Sequence, residues 1–138
     1  MTPPEAFRSL RVLLIEDDPD LAEATAEFLK AEGLDVQTAL TGRLALQVAE
    51  TFRPQLVLCD LNLPDMAGLD VVRRLRSNPA TDKTCVVILT AMRETERAYQ
   101  REAETLGVDA FICKPITIGA IRALTERIAR PLSDHKML

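Results

Sequence analysis

Five short apolar runs divide the sequence: Val12–Ile15, Val36–Leu40, Leu56–Cys59, Val86–Leu89 and Ala110–Cys113. They are continuous rather than alternating and rich in Val, Ile and Leu, as strands covered on both faces are. A segment with helical spacing follows each run. Strict strand–helix alternation implies parallel strands joined by right-handed crossovers, a doubly wound α/β domain. In such folds ligands bind at the carboxyl ends of the strands, near the point where strand order reverses.

The first helical segment starts at Asp18-Pro19, an acidic cap followed by a proline, and stops at Gly33, with Leu21, Thr25, Phe28 and Leu29 as its expected inner stripe. The second spans Arg43–Phe52 with Leu44, Val48 and Phe52 inward, and the third Leu69–Arg76 with Leu69, Val72 and Leu75. The fourth, near Glu94–Leu106, is dominated by charge and offers only Tyr99, Ala103 and Leu106. The last runs Ile118–Arg130, with Ile118, Ile121, Leu124 and Ile128 inward and Pro131 as its stop. A length of 138 residues suits one domain, with a core over about 10–130 and flexible ends at 1–9 and 131–138.

Charge and cysteine usage exclude several classes. Lys and Arg number 17 against 21 Asp and Glu, a net charge of −4, which argues against a nucleic-acid groove. No apolar run approaches the roughly 20 residues of a membrane span, and the first ten residues lack a secretory apolar region, so a cytoplasmic location is expected. Cys59, Cys85 and Cys113 lack metal-ligand spacing and read as small hydrophobes within or beside strands.

Chemistry collects at the strand ends. Glu16-Asp17-Asp18 follows the first strand, Thr41-Gly42 the second, Asp60 closes the third, Thr90 the fourth, and Lys114-Pro115 follows the fifth. Thr41-Gly42 offers little, as suits a strand at the sheet edge. Asp18 is explained as a helix cap, but Glu16 and Asp17 are not. With Asp60 on the neighbouring strand, three carboxylates share one small region. Two of them about 4 Å apart repel by about 4 kcal/mol at an effective dielectric of about 20. A bound cation relieves that repulsion, and such an oxygen set suits Mg²⁺. Phosphate-binding glycine loops are absent, and carboxylates after strand one would repel a free phosphate.

Strands about 4.8 Å apart place Thr90 one step from Asp60 and Lys114 two steps, roughly 10 Å. A hydroxyl, an ammonium and a divalent ion around a carboxylate make a pocket for a dianion attached to that carboxylate. An aspartate can act as a nucleophile and form an acyl phosphate.

Glu16-Asp17, Asp60 within LVLCDLNLPDMAG, Thr90 within VVILTA, and Lys114-Pro115 after AFIC together resemble the receiver domain of two-component response regulators. The likeness spans about residues 10–130. It implies a flavodoxin-like (βα)5 fold with strand order 2-1-3-4-5 and helices on both faces. It also implies Asp60 as phosphoacceptor, with Mg²⁺ or Mn²⁺ held by Glu16, Asp17, Asp60 and the backbone carbonyl of Asn62. Thr90 and Lys114 would bind the phosphoryl group, and Phe111 would be the aromatic whose rotamer follows activation. Pro64 and Gly68 fit the turn after the third strand. Met92, two residues past Thr90, is expected to shield the phosphoryl group from water.

Two departures stand out. Glu16 replaces the aspartate usual in many members, and the Thr90-to-Lys114 stretch exceeds the common spacing around the fourth helix. The implied partners are a sensor histidine kinase or a histidine phosphotransfer protein, a downstream protein target, and a second copy in a phosphorylation-dependent homodimer; neither nucleic acid nor membrane is expected. The domain would not be an enzyme beyond phosphoryl transfer onto and off its own aspartate. The alternative is a small hydrolase using an aspartyl-phosphate intermediate. Whether the chain stands free or belongs to a hybrid kinase or longer regulator stays open.

Overall fold

A computed structural model of the chain describes residues 10–91 and 93–129. Strands and helices alternate throughout: β1 (Arg11–Ile15), α1 (Pro19–Ala31), β2 (Asp35–Ala39), α2 (Gly42–Phe52), β3 (Leu56–Asp60), α3 (Gly68–Arg76), β4 (Cys85–Thr90), α4 (Arg93–Thr105), β5 (Ala110–Cys113) and α5 (Ile118–Ala129). The strands form one parallel sheet in the order β2-β1-β3-β4-β5, as expected. Strand order reverses between β1 and β3, so the carboxyl ends of those two strands flank the crevice.

Side chains alternate across a strand, and the two halves of each run feed two cores. Leu13, Ile15, Val57, Cys59, Val86 and Ile88 pack with α2, α3 and Ala103 of α4. Val12, Leu14, Leu56, Leu58, Val87 and Leu89 pack with Ala26 and Leu29 of α1 and Ile121 and Leu124 of α5. The central strands β1, β3 and β4 are covered on both faces. The edge strands are not: β2 exposes Asp35, Gln37 and Thr38, and no residue of β5 is fully buried.

Leu29 of α1 is buried and Phe28 half-buried against the core as expected, but the remaining buried residues of α1 and those of α2 differ from the expected ones. In α1 the buried positions are Ala22, Ala26 and Leu29, and Leu21 is 43% exposed. In α2 they are Gly42, Ala45 and Ala49, and Leu44 is 42% exposed. Alanines thus supply most of the buried positions of both helices, with Leu29 the one large side chain fully buried in α1. In α3, by contrast, Leu69, Val72 and Leu75 are buried as expected, joined by Val71. Ala103 and Leu106 face the core near α4, whereas Tyr99 is 39% exposed. In α5, Ile121 and Leu124 are buried and Ile118 is exposed. Asp18 caps α1, accepting hydrogen bonds from the backbone N–H groups of Asp20 (3.0 Å) and Leu21 (3.3 Å).

Gly68 opens α3 directly beneath the end of β3. A Cβ there would sit 2.3 Å from the Asp60 carbonyl oxygen, so the backbone could not keep its path. Gly68→Ala is expected to cost about 1–3 kcal/mol, read as a lower urea midpoint; an unchanged midpoint would contradict this packing.

The cysteines differ in reach. Cys59 is fully buried, and burial and then the Asp60 charge push its thiol well above the ordinary range. Burial and the Asp109 carboxylate push Cys85 up to about 12. Cys113 is exposed. A thiol reagent at mildly alkaline pH should therefore label Cys113 first and reach Cys59 only in denaturant, because only the thiolate reacts. Equal rates for Cys59 and Cys113, followed by mass spectrometry of the digest, would refute the burial of Cys59.

Candidate functional site

Three parallel strands deliver the acids and the lysine to one edge of the sheet. Glu16 stands one residue past β1, where its backbone N–H donates to the Ala39 carbonyl of β2 (3.0 Å) and extends the ladder. Its side chain is turned inward and only 3% of the residue is exposed. Asp17 follows in the loop and is exposed. Asp60 is the last residue of β3, in register with Leu89 of β4. One carboxylate oxygen from each of Glu16, Asp17 and Asp60 lies within 4.8 Å of the other two.

Lys114 crosses to these acids from the far side of β4. Its backbone N–H donates to the Thr90 carbonyl (2.8 Å), which fixes where its stem begins. The ammonium then donates to Glu16 Oε1 at 2.7 Å and to Asp60 Oδ2 at 3.1 Å. Burial opposes its charge, but the hydrogen bonds and negative charges of Glu16 and Asp60 outweigh that and hold its pKa above the ordinary lysine value. The second Glu16 oxygen accepts the backbone N–H of Asp18 at 3.3 Å. Thus the one buried acid has both oxygens engaged, and Lys114 is shared between two acids instead of serving Asp60 alone.

Thr90 ends β4, is buried, and pairs in register with Cys113 of β5. Because side chains alternate, Thr90 projects to the same face as Val86 and Ile88, the face covered by α2, α3 and α4. Phe111 is half-buried against that same core and pairs in register with Ile88. Asn62 sits exposed in the loop after β3, where it forms an isolated bridge with Ala67. Met92 lies outside the described residues.

Glu16, Asp17 and Asp60 are hard oxygen donors of high charge density. Among the described residues no thiol belongs to this group of ligand atoms, and the neighbouring Cys59 thiol donates to the Asp60 carbonyl at 3.3 Å. That donor set fits Mg²⁺ or Mn²⁺ and is a poor match for softer metals.

One participant is not legible in the sequence. The Asp65 carboxylate, in the same loop as Asn62, accepts the backbone N–H groups of Gly42 (2.8 Å) and Arg43 (2.9 Å) at the start of α2. Those two hydrogen bonds, with a further contribution from the Arg43 charge, hold its pKa below the usual carboxylate range. Pro64-Asp65 reads only as a turn in sequence, and Thr41-Gly42 as chemically empty. Their meeting across more than twenty residues depends on β1 lying between β2 and β3.

Comparison with known proteins adds an independent line. The family model of the response regulator receiver domain matches residues 12–126. The chain is 39% identical over 121 residues to Probable transcriptional regulatory protein TcrX of Mycobacterium tuberculosis, covering 84% of this chain and 50% of that protein. It is 35% identical over 126 residues to the cell cycle transcriptional regulator CtrA of Caulobacter vibrioides, covering 91% and 53%. The chain thus spans about half the length of the curated relatives it matches. Among solved structures, the CheY-like receiver domain from Methylobacillus flagellatus superposes with a TM-score of 0.78 at 29% identity, over 87% of this chain and 98% of that one. The chemotaxis response regulator CheY4 of Vibrio cholerae gives 0.76 at 25% identity, over 87% and 98%. With the family match running from β1 into α5, this chain belongs to the response regulator receiver domain family.

Proposed function

We propose that Asp60 accepts a phosphoryl group from a phosphohistidine on a sensor histidine kinase or histidine phosphotransfer protein, and that the face formed by α4, β5 and α5 changes in response. The observation that carries this reading is the position of Lys114, whose ammonium reaches across β4 to the Asp60 carboxylate inside a cluster of three acids. A carboxylate oxygen of Asp60 forms the new bond to phosphorus as the donor's N–P bond breaks, and the electron pair leaves with the imidazole nitrogen. Glu16, Asp17, Asp60 and the Asn62 carbonyl would hold Mg²⁺ or Mn²⁺, which supplies positive charge against both carboxylate repulsion and the incoming oxygens. Lys114 neutralises phosphoryl charge from the opposite side, and the Thr90 hydroxyl donates a hydrogen bond to one phosphoryl oxygen.

Movement of Thr90 toward the new dianion frees space on the face it shares with Phe111, and the ring turns into it. Only the difference in phosphoryl affinity between the two arrangements drives the shift. A downstream protein or a second copy then reads the altered surface. The transfer is stoichiometric and confined to the protein's own aspartate, so the domain is a switch and not a turnover enzyme. Among the described residues no helix is long and apolar enough to cross a membrane.

Incubation with Mg²⁺ and a small phosphodonor should add the mass of one PO₃ group to the intact wild-type chain and none to Asp60→Asn. Equal labelling of both, or steady release of inorganic phosphate without a labelled protein, would overturn the proposal.

The crowded acids also set a stability prediction. A pair of carboxylates 4.8 Å apart repels by about 3.5 kcal/mol at an effective dielectric of about 20. Exposure of Asp17 reduces this to about 1 kcal/mol. Asp17→Asn should therefore raise Tm by a few degrees in a chelator, while Mg²⁺ should stabilise the wild type more than the variant. Identical melting of the two proteins in both conditions would show that the acids do not repel one another appreciably.

A further inference from the structure

The loop from Leu61 to Asp65 and back to Gly68 is held at two places of different kind. At its base, Asn62 bridges Ala67, and the Gly68 N–H donates to the Leu61 carbonyl at 2.7 Å. At its tip the anchoring comes from another element. Asp65 Oδ1 accepts the N–H of Gly42 and Oδ2 the N–H of Arg43, at 2.8 and 2.9 Å. Beside it, Met66 lies flat on Gly42: a Cβ at that position would fall 2.6 Å from Met66 Cγ and 2.8 Å from its Sδ.

The helix has its own cap as well, since Thr41 Oγ1 accepts the N–H of Leu44 at 3.1 Å. The Thr41 cap just before α2 satisfies one orphan donor, and Asp65 satisfies the two before it. Two charge-assisted bonds from a carboxylate to successive N–H groups at the positive end of a helix dipole form a stiff attachment. That attachment lies three residues along the same loop from Asn62.

We propose that Asp65 is a positioning residue for the cation site. By tying the β3–α3 loop to the first turn of α2, it holds the Asn62 backbone carbonyl in place toward the acids. The inference rests on the proposed phosphoacceptor function, in which that carbonyl is a ligand. Groups that orient a ligand without touching the metal commonly contribute tenfold or more to affinity. The same tie links the site mechanically to α2 and the β2 edge, elements with no acidic ligand of their own.

The test compares Mg²⁺ affinity, by calorimetric titration, in the wild type, Asp65→Ala, Asp65→Asn and Thr41→Ala, each checked for folding by circular dichroism. Asp65→Ala should weaken Mg²⁺ binding by about tenfold or more, and Asp65→Asn, which keeps one acceptor oxygen, by less. Thr41→Ala removes a cap from the same helix without touching the loop, so it should lower Tm and leave Mg²⁺ affinity unchanged. If the alanine variant does not fold, the comparison of Asp65→Asn with Thr41→Ala decides. Wild-type affinity in the Asp65 variants, or an equal loss in Thr41→Ala, would overturn the positioning role while leaving the phosphoacceptor reading intact. A wild-type chain that takes up no Mg²⁺ and no phosphoryl group would overturn both.

Discussion

Three carboxylates gathered at the carboxyl end of a sheet, partly offset by the Lys114 ammonium, are the constraint around which this domain is organised. A parallel sheet points every carboxyl end the same way, so residues that terminate β1 and β3 become neighbours. Glu16, Asp17 and Asp60 therefore crowd together whatever their mutual repulsion, and Lys114 answers them from the end of β5. The ammonium contacts the buried Glu16 more closely than Asp60, at 2.7 against 3.1 Å. It thus acts as a counter-ion to the acid least able to reach water, and remains within reach of the acid whose carboxylate is more exposed.

Two separate cores lie behind that cluster of charge, one on each face of the sheet. Alternation along β4 and β5 places Thr90 and Phe111 on the face covered by α2, α3 and α4, whereas Val87, Leu89 and Ile112 serve the α1–α5 side. Thr90 and Phe111 thus share one side of the sheet. The opposite side is packed by Leu29, Ile121 and Leu124 against fully buried strand residues.

Much of this is local and readable along the chain. The strand runs, the Asp18-Pro19 helix start and the apolar stripe of α3 follow from periodicity and capping chemistry. The acids, Thr90 and Lys114 stand out because each lies at the carboxyl end of a strand or within two residues after it. The faces of α1 and α2 were harder to read. Leu21 and Leu44 have the size expected of inward residues, yet Ala22, Ala26, Ala45 and Ala49, with Leu29, are the buried ones. How a helix is rotated where it docks on the sheet decides that choice, and a hydropathy pattern does not fix the rotation to within one residue. Asp65 was hidden for a related reason, because its partners are backbone N–H groups that any residue could supply.

The sequence alone determined the alternation of elements, the kind of sheet and the chemical groups available at its edge, because periodicity, capping and strand termini are properties of neighbouring residues. Tertiary structure alone decided that Lys114 is shared between Glu16 and Asp60, that small residues face the sheet in α1 and α2, and that Asp65 ties the β3–α3 loop to α2. Each of these depends on distances between segments far apart in the chain. Those distances are set by how closely helices and strands pack.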